Sequence, residues 1–578
     1  MKKLLCLVLS LVMVLGLAVC VQAEAANMTP GTYEAGFRGY ASEIVVAVTV
    51  DEMTITDVQI KSHDETDGIG SYALDFIPGE IVAQQTALVD MVSGATATSA
   101  AIRAAVMDCL KQAGADMSAF LKDPVKPEPQ DLTLDTDIVI IGAGAAGLTA
   151  ALEATNNGAS VIVVEKMDIP GGNTVRSSGT WNLAAHPEQL EAVKTNPNIA
   201  ANRKTVEEFV TYTMEGGHNI NNLELVQTMV ENSAGITEWV RDQGFEVSLK
   251  GTYAGAYVPG EARGLITGLK DRFEAKGGQV LLSTKATAIT MADGKAAGIT
   301  GTTATGGNLT VNSKAVIDAA GGFGYNLEMV YALKPEFTGF VTNNQVGALG
   351  EGIEMAQAVG AALVDMEQIQ AHPSVHQATA NMLTEECRNM GGILINTSGK
   401  RFINECTYRD VVANAILEQD QQFAYLLVNQ DIIDNNNNIA GYIKVGTLLG
   451  PFETVDELAA YMNVDKATFE ETFNNWNQYV ADQNDPEFGS AFTWIRDLAQ
   501  GPWYASPVAP GIHHTMGGVK INTNTEVIST EDAIIPGLFA CGEVTGGVHG
   551  GNRVGGNAIL DCLVFGKIAG DNAAAYVK

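Results

Sequence analysis

Two kinds of hydrophobic pattern divide this 578-residue chain into a short first part and a long second part. Apolar residues alternate with polar ones at Ile44–Val50 and Ile55–Ile60, which predicts half-buried strands, and residues 99–113 have the spacing of an amphipathic helix. Ile138–Ile141 and Val161–Val164 are continuous apolar runs, typical of parallel strands buried on both faces. The second part is therefore predicted to be an α/β fold that begins with a strand–helix–strand unit.

A proline-rich segment marks the boundary between the two parts. Three prolines fall within residues 123–131, and such a sequence favours an extended, semi-rigid linker. We therefore expect a small N-terminal domain that is connected by this linker to a larger one.

The first residues have the features of an export signal. Lys2 and Lys3 precede the apolar run Leu4–Val21, and Val21-Gln22-Ala23 resembles a cleavage site. We expect residues 1–23 to be removed and the mature protein to be exported to the periplasm or the cell surface. A membrane anchor helix and lipid attachment at Cys20 are the alternatives that these residues leave open.

Charge and cysteine content exclude several classes of partner and site. The net charge of −33 argues against a nucleic-acid partner, because phosphate binding needs a basic surface, and an anionic substrate would need local buried cations. No zinc, dithiol or c-type haem motif is present, so no metal site is predicted. Whether Cys387 pairs with Cys406 stays open.

A glycine motif indicates where a dinucleotide binds. Gly142, Gly144 and Gly147 follow a predicted strand and begin a helix, which is the arrangement that brings backbone N–H groups to a pyrophosphate. Glu165 ends the next strand, where an acid accepts a hydrogen bond from a ribose hydroxyl. Further glycine-rich turns at 171–179, 316–322 and 555–558 favour FAD over NAD.

Several longer strings resemble the soluble fumarate reductase and flavocytochrome c group of the fumarate reductase–succinate dehydrogenase flavoprotein family. They are IQAHPS (369–374), LTEECR (383–388), GKRFINECTYRD (399–410), GIHHTMGGV (511–519) and GEVTGGVHGGNRVGGNAI (542–559). The resemblance covers roughly residues 131–578 and implies FAD chemistry in a cleft beneath a mobile capping domain.

The resemblance also implies the roles of individual residues. His372 and Thr384, with Met382 packed beside them, are implied to hold one substrate carboxylate, and His513 and Arg553 to hold the other. His514 is the alternative to His513. Arg409 is implied to protonate the substrate carbon, and Glu385 and Arg388 to resupply its proton. Residues 251–264 depart from the family pattern, so the exact substrate stays open.

The implied FAD contacts lie in the glycine-rich turns. They are Gly142, Gly144, Ala146, Gly147, Glu165, Lys166, Gly172, Asn173, Thr174, Ser178, Gly179, Ala320, Gly321, Glu543, Asn557, Ala558 and Ile559. The turn at 171–179 contains no histidine, the residue that links flavin covalently in membrane-bound relatives. We therefore expect FAD to be bound without a covalent bond.

A second flavin is indicated in the N-terminal part. Residues 90–98, DMVSGATAT, resemble the sequence that a flavin transferase recognises in FMN-binding domains, which implies FMN joined through a phosphoester to Thr96. Thr98 is the alternative acceptor. The same residues also fit an ordinary helix N-terminus.

The predicted architecture is an α/β Rossmann-like FAD-binding domain with an inserted α+β capping domain, preceded by a small α+β FMN-binding domain. The predicted bounds are 1–23 for the signal peptide, 28–117 for the FMN-binding domain, 118–134 for the linker, 135–250 and 366–578 for the FAD-binding domain, and 251–365 for the capping domain.

The expected function is reduction of an α,β-unsaturated carboxylate, with fumarate to succinate as the first choice. Electrons would reach FAD through the covalent FMN from a membrane or extracellular donor. The alternatives are the same chemistry on urocanate, methacrylate or a cinnamate, and, in a different class, a flavin electron carrier without a substrate.

Overall fold

The computed structural model describes residues 27–578 except 67, 198, 253, 493 and 494. The predicted export signal and Cys20 lie outside the described residues. Two compact units are present, one formed by residues 27–66 and 70–126 and the other by the rest of the described chain. No helix of the described part is both long enough and apolar enough to cross a membrane.

The N-terminal unit is a small α+β domain. Its antiparallel sheet has the order β1 (Gly31–Arg38), β2 (Glu43–Val50), β3 (Ile55–Ser62), and its helices are α1 (Gly70–Gln84) and α2 (Thr96–Gln112). The apolar residues of β2 face α2, which packs against this strand and against β1. The two strands and the helix predicted from the hydrophobic pattern are therefore confirmed, with the helix beginning three residues earlier than predicted.

The larger unit contains the remaining strands and helices. Its strands are β4 (Leu132–Asp135), β5 (Ile138–Ile141), β6 (Val161–Val164), β7 (Trp181–Asn182), β8 (Ser248–Leu249), β9 (Gly255–Tyr257), β10 (Gln279–Leu281), β11 (Lys285–Ala292), β12 (Lys295–Thr302), β13 (Asn308–Asn312), β14 (Ala315–Asp318), β15 (Leu363–Val364), β16 (Ile369–His376), β17 (Asn381–Met382), β18 (Ile393–Ile395), β19 (Ala424–Asn429), β20 (Leu449–Phe452), β21 (Trp503–Thr515), β22 (Gly518–Val519), β23 (Glu526–Ile528) and β24 (Ile534–Ala540). Its α-helices are α3 (Ala145–Asn156), α4 (Pro187–Ala192), α5 (Val206–Gly216), α6 (Leu223–Glu231), α7 (Ser233–Asp242), α8 (Glu261–Ala275), α9 (Leu327–Leu333), α10 (Glu351–Ala358), α11 (Glu386–Asn389), α12 (Arg409–Leu417), α13 (Gln430–Asp434), α14 (Asn437–Lys444), α15 (Val455–Met462), α16 (Lys466–Asp482) and α17 (Asn557–Tyr576).

A six-stranded sheet forms the centre of this unit. Its order is β10-β6-β5-β14-β24-β23, and only the edge strand β23 runs antiparallel to its neighbour. β5 and β6 are buried along their whole length, as their continuous apolar sequences predicted. The carboxyl ends of β5, β6 and β14 therefore meet at one edge of the sheet, where α/β folds bind dinucleotides.

The inserted layer lies elsewhere in the chain than predicted. Residues 251–365 were expected to form the capping domain, but β10 and β14 of that range are strands of the central sheet. A separate hydrophobic core instead lies within residues 383–508, around a second sheet of order β17-β16-β21-β19-β18. The prediction was wrong because hydrophobic pattern shows that a segment is a strand but not which distant strand it pairs with.

The predicted linker is also shorter than expected. β4 lies inside the predicted range 118–134, yet it pairs in parallel with β13 and so belongs to the larger unit. The boundary between the two units falls after Lys126. All five described cysteines are free thiols, so Cys387 and Cys406 do not form a disulfide.

Candidate active site

The glycine turn after β5 has the shape needed to hold a pyrophosphate. A Cβ on Gly142 would lie 2.4 Å from the Ala319 carbonyl oxygen, and one on Gly147 would lie 2.0 Å from the Gly142 carbonyl oxygen. Gly144 instead faces open space, with its nearest neighbour, the Gly171 carbonyl oxygen, at 3.9 Å from the position of a Cβ. Two glycines are thus required by packing, and the third leaves room for phosphate at the N-terminus of α3.

Glu165 is held rigidly at the end of β6. Its carboxylate accepts hydrogen bonds from the backbone N–H groups of Ala143 and Met167, both at 2.9 Å. Burial raises the pKa of Glu165, and these two backbone donors oppose the rise. The carboxylate lines a groove together with Gly142, Lys166 and Ala320, so the residues predicted for the ribose end of FAD surround one space.

Asn173 connects the turn at 171–179 by hydrogen bonds to residues that are distant in the chain. The Asn173 amide donates to Asn344 Oδ1 at 2.7 Å and to Glu543 Oε2 at 3.1 Å, while its oxygen accepts from the Gln345 N–H at 2.8 Å. The sequence analysis did not find Asn344 or Gln345. They lie in a loop without a glycine motif, and only the tertiary fold brings them to the turn.

The start of α17 is connected to β7 by Asn182, which the sequence analysis also did not find. Its amide donates to the Gly555 carbonyl oxygen at 2.6 Å and to Asn557 Oδ1 at 2.7 Å. The other predicted FAD contacts lie in four turns. Ala146 is in the first turn of α3, Gly172, Thr174, Ser178 and Gly179 are in the 171–179 turn, Gly321 follows β14, and Ala558 and Ile559 are in the first turn of α17.

Two buried histidines face each other from neighbouring strands. His372 on β16 pairs with Gly511 on β21, and His513 lies two residues after Gly511. The ring centres of His372 and His513 are 5.2 Å apart, and the rings meet edge to face. His372 Nδ1 accepts from the Ser374 N–H at 3.2 Å, so its proton is on Nε2, which has no partner among the described residues. Burial, and then the neighbouring Arg409, hold the pKa of His372 well below its usual value. His372 is therefore a neutral hydrogen-bond donor.

The structure places His513, rather than His514, beside Arg553. Arg553 Nη2 donates to His513 Nε2 at 2.8 Å, so His513 Nδ1 carries the proton and donates to Asn343 Oδ1 at 3.1 Å. Burial, and then the charge of Arg409, lower the pKa of Arg553 to about 9. His514 lies instead near Glu543, with 3.5 Å between His514 Nδ1 and Glu543 Oε1.

The buried Arg409 forms an ion pair with the partly buried Glu385 in the same region. Arg409 is the first residue of α12, and its Nε donates to the Glu385 carboxylate while its Nη1 donates to Gln370 Oε1 at 2.9 Å. Burial would raise the pKa of Glu385, but Arg409 holds it well below its usual value, so Glu385 is ionised. Arg388 is also buried, and it donates to the Glu405 carbonyl oxygen rather than to Glu385.

Gln370 connects the two sides of this cluster. It accepts from Arg409, and its amide donates to Asn552 Oδ1 at 2.5 Å and to the Arg553 carbonyl oxygen at 2.9 Å. Gln370 was not predicted from the sequence. It lies two residues before His372 on the same strand, and the two-residue repeat of a strand puts both side chains on one face, so strand alternation alone could have identified it.

Thr384 and Met382 lie beside His372. The Leu383 N–H donates to the Ser374 carbonyl oxygen at 2.8 Å, which aligns 382–384 with the end of β16. The Thr384 hydroxyl donates to the Glu386 carboxylate, which in turn forms an ion pair with Lys250 at 2.7 Å. The structure thus connects five of the eight residues that the resemblance assigned to the site, directly or through Gln370: His372, His513, Arg553, Arg409 and Glu385. Of the other three, Thr384 bonds to Glu386, Arg388 bonds to the Glu405 carbonyl oxygen, and Met382 pairs with Val375 of β16.

In the N-terminal unit the two candidate FMN acceptors differ in exposure. Thr96 is exposed at the first position of α2, and no side chain caps this helix. Thr98 is buried and donates to Glu65 Oε2 at 2.6 Å. An exposed hydroxyl among uncapped helix N–H groups fits a phosphate ester, whereas the Thr98 hydroxyl is already bonded.

The chain matches two known domain models and several named proteins. An FAD binding domain matches residues 137–559, and an FMN-binding domain matches residues 39–111. The NADH:fumarate oxidoreductase of Klebsiella pneumoniae is 34% identical over 96% of this chain, which spans only 59% of that longer protein. The urocanate reductase of Eggerthella lenta is 35% identical over 93% of this chain and 91% of its own length.

A solved structure shows the same fold. The open conformation of a flavocytochrome c3 fumarate reductase superposes with a TM-score of 0.63 at 35% identity, covering 77% of this chain and 79% of that one. The domain match from 137 to 559, the identities over most of the chain and the glycine cradle at Gly142–Gly147 agree with one another. The chain belongs to the fumarate reductase flavoprotein family of FAD-dependent oxidoreductases and carries an FMN-binding domain at its N-terminus.

Proposed function

We propose that this protein reduces the carbon–carbon double bond of an α,β-unsaturated carboxylate. The observation that carries the proposal is the buried Arg553, whose side-chain partner is the neutral His513, in one cluster with His372 and the Arg409–Glu385 ion pair. A buried cation whose bonded partner is neutral attracts a carboxylate, and a flavin electron carrier has no need of such a cluster.

Each residue of the cluster has a separate task. Arg553, supported by His513, binds a substrate carboxylate, and this interaction withdraws electron density from the double bond. The glycine turns after β5 and at 171–179 would hold FAD, which in its reduced form would supply a hydride to one alkene carbon. Arg409 donates a proton to the other carbon, so that hydride and proton together give the saturated acid. The ionised Glu385 orients Arg409, takes up a proton from solvent after Arg409 has given its own to the substrate, and passes that proton to Arg409.

Gln370 and Glu385 fix the position of the Arg409 side chain. Arg409 receives hydrogen-bond partners on two sides, from Glu385 and from Gln370, so its guanidinium has one orientation. A proton donor must lie within hydrogen-bonding reach of the carbon that it serves, and fixing its orientation removes part of the entropic barrier.

Fumarate is the first candidate substrate, because the resemblance implies a carboxylate site at both ends of the cleft. The second candidate class is an enoate with only one carboxylate. The hydrogen bond from the Thr384 hydroxyl to Glu386 favours this second class, because it changes what one end of the cleft offers to a substrate. The relatives named above include both a fumarate and a urocanate reductase.

We also propose that electrons enter through FMN attached to Thr96 and that the mature protein is exported. The exposure of Thr96 at the N-terminus of α2 supports the attachment, which requires a flavin transferase. The sequence of residues 1–23 supports export, and an exported enzyme needs a membrane or extracellular electron donor. Mass spectrometry of the mature protein tests both points, through its N-terminal residue and its FMN-modified peptide.

The catalytic proposal is tested with the flavin-loaded protein reduced by a viologen dye. Unsaturated acids are then screened for reoxidation of the dye, and the product is identified by chromatography. We expect at least one of fumarate, its monoamide and urocanate to be reduced. If the protein oxidises the dye with none of these or other enoates, the proposed function is wrong.

A further inference from the structure

The end of the cleft formed by His372 and Thr384 contains a residue pair that does not belong to the predicted carboxylate clamp. Glu386 accepts the Thr384 hydroxyl through one oxygen and binds Lys250 Nζ through the other at 2.7 Å. Glu386 is the first residue of α11, and Lys250 follows β8 at a turn where its N–H donates to the Gly255 carbonyl oxygen at 2.8 Å. Two separate segments thus meet at Thr384.

The ionisation of Glu386 decides which way the Thr384 hydrogen bond points. Burial would raise the pKa of Glu386, but Lys250 and the Thr384 hydroxyl lower it, so the carboxylate is ionised and can only accept. A threonine hydroxyl has a single proton. Because that proton is donated to Glu386, Thr384 can offer only a lone pair to a substrate.

His372 supplies the complementary group. Its Nε2–H has no partner among the described residues, and the Leu383–Ser374 hydrogen bond places Thr384 next to this segment of β16. This end of the cleft therefore offers one donor, from His372, and one acceptor, from Thr384. A carboxylate has no proton to give to the acceptor, whereas a carboxamide or an imidazole both donates and accepts.

The charges at the two ends of the cleft also favour a carboxylate at the Arg553 end and a neutral group at the His372–Thr384 end. Arg553 is a buried cation beside a neutral His513 at one end. At the other end His372 is neutral, the charges of Glu386 and Lys250 cancel, and the nearby Arg409 is paired with Glu385. Arg388, which also acts on His372, is bonded to the Glu405 carbonyl oxygen. Arg553 is thus the cation whose side-chain partner is neutral and which can bind a carboxylate directly.

We infer that Glu386, held by Lys250, is a specificity-determining residue that selects a neutral donor–acceptor group over a second carboxylate at the His372–Thr384 end. The inference rests on the proposed enoate reduction and narrows its substrate class. The favoured substrate carries one carboxylate, bound at Arg553, and a carboxamide- or imidazole-like group at the opposite end.

Fumarate and its monoamide provide the matched test, since they have nearly the same size and differ only in whether one end is a carboxylate or a carboxamide. We expect wild type to have the higher kcat/KM with the monoamide. In Glu386→Gln the new amide can face Thr384 and free its hydroxyl proton. The ratio should then shift toward fumarate by about tenfold or more, the effect of one hydrogen bond to a charged group.

Lys250→Met should shift the ratio of the two kcat/KM values toward the monoamide, because it leaves the negative charge of Glu386 uncompensated. Glu386→Ala is the second variant if Glu386→Gln does not fold, and Glu471→Gln, an exposed acid on α16, is the matched control with an unchanged ratio. The dissociation constants of fumarate and its monoamide, measured by titration of the flavin absorbance, should show the same preference in wild type and in each variant.

The outcomes separate this inference from the proposed function. If wild type and variants reduce neither acid, nor urocanate, the enoate reductase proposal is wrong. If both acids are reduced but the ratio stays within about twofold of wild type in Glu386→Gln, or if Glu386→Gln and Lys250→Met shift it in the same direction, the role of Glu386 is refuted while the proposed function stands.

Discussion

At the scale of single residues, the chemistry of this site depends on how buried charges are partnered. Arg409 has an acid partner in Glu385, whereas Arg553 has a neutral imidazole. In the proposed mechanism the first arrangement orients a proton donor, and the second leaves positive charge available for a substrate. Sequence strings identified these residues, but the partner of each was visible only in the structure.

Replacing Arg409 tests its role as the proton donor. We expect Arg409→Ala to lower kcat by about 10²- to 10⁴-fold, the usual contribution of a positioned general acid. Steady-state rates with the best enoate substrate measure the effect. The matched control is Arg496→Ala, which removes an exposed arginine paired with Asp431 at 2.7 Å and should retain wild-type turnover. Full turnover in Arg409→Ala would contradict the assignment.

The two threonines of the N-terminal unit make a second prediction. Thr96→Ala should abolish the covalent FMN and leave stability nearly unchanged, because Thr96 is exposed. Thr98→Ala should retain FMN but lower the free energy of unfolding by about 1–3 kcal/mol, because buried Glu65 loses a hydrogen-bond donor.

Peptide mass spectrometry and urea denaturation measure these two effects. An FMN adduct that persists in Thr96→Ala, or that is lost in Thr98→Ala while the protein stays folded, would contradict the choice of acceptor.

At the scale of elements, close packing of α17 against α3 supports the dinucleotide turn. A Cβ on Gly566 would lie 2.7 Å from the Ala146 carbonyl oxygen, and one on Gly570 would lie 2.5 Å from the Ala150 carbonyl oxygen. Two glycines one helical turn apart thus let the backbones approach. The sequence predicted a helix at the glycine motif and a glycine-rich turn at 555–558, but not that the two segments touch, because they are more than 400 residues apart in the chain.

A pair of glycine substitutions in helices separates packing from helix propensity. Gly566→Ala should destabilise the protein by about 1–3 kcal/mol, since the added methyl group overlaps the backbone of α3. Gly235→Ala in α7 is the control, because Gly235 is exposed with nothing within 4 Å of a Cβ, and it should stabilise by up to about 1 kcal/mol. Thermal unfolding measures both, and equal effects would contradict the packing argument.

At the scale of the whole molecule, burial of titratable groups makes stability depend on pH. Burial is the main reason that the pKa values of His372, His513 and His514 lie well below 6.5 in the folded protein. Below pH 6.5 the unfolded chain therefore binds more protons than the folded one, and stability falls as pH decreases. Asp318 has the opposite effect between about pH 4 and 7, because burial raises its pKa to about 7.

The three histidines titrate near pH 6.5 in the unfolded chain, so between pH 7.5 and 5.5 the expected sign is a loss of stability on acidification. The buried acids Asp318, Glu165 and Glu543, whose pKa values are raised by burial, oppose this loss. Calorimetry of the flavin-loaded protein from pH 7.5 to 5.5 should show a falling Tm. Asp318→Asn should make the fall steeper, since it removes one of the opposing protons. A Tm that is constant or rises on acidification would contradict this balance.

The sequence alone determined the features that depend on local chemistry. The glycine spacing at Gly142–Gly147 specifies a dinucleotide turn, because packing excludes side chains at Gly142 and Gly147. Alternating and continuous apolar runs predicted β2, β3, β5, β6 and α2, because a strand or helix repeats its buried face at a regular interval. The strings at 369–410 and 511–559 identified the family and predicted the site residues.

The tertiary structure alone decided everything that depends on which distant segments meet. It placed β10 and β14 in the central sheet, formed a separate core within 383–508, and buried Thr98 while it left Thr96 exposed. It also brought Glu386 and Lys250 together at Thr384. Pairing and burial are non-local, so the strings that named a carboxylate clamp did not show that one of its hydroxyl protons is already donated within the protein.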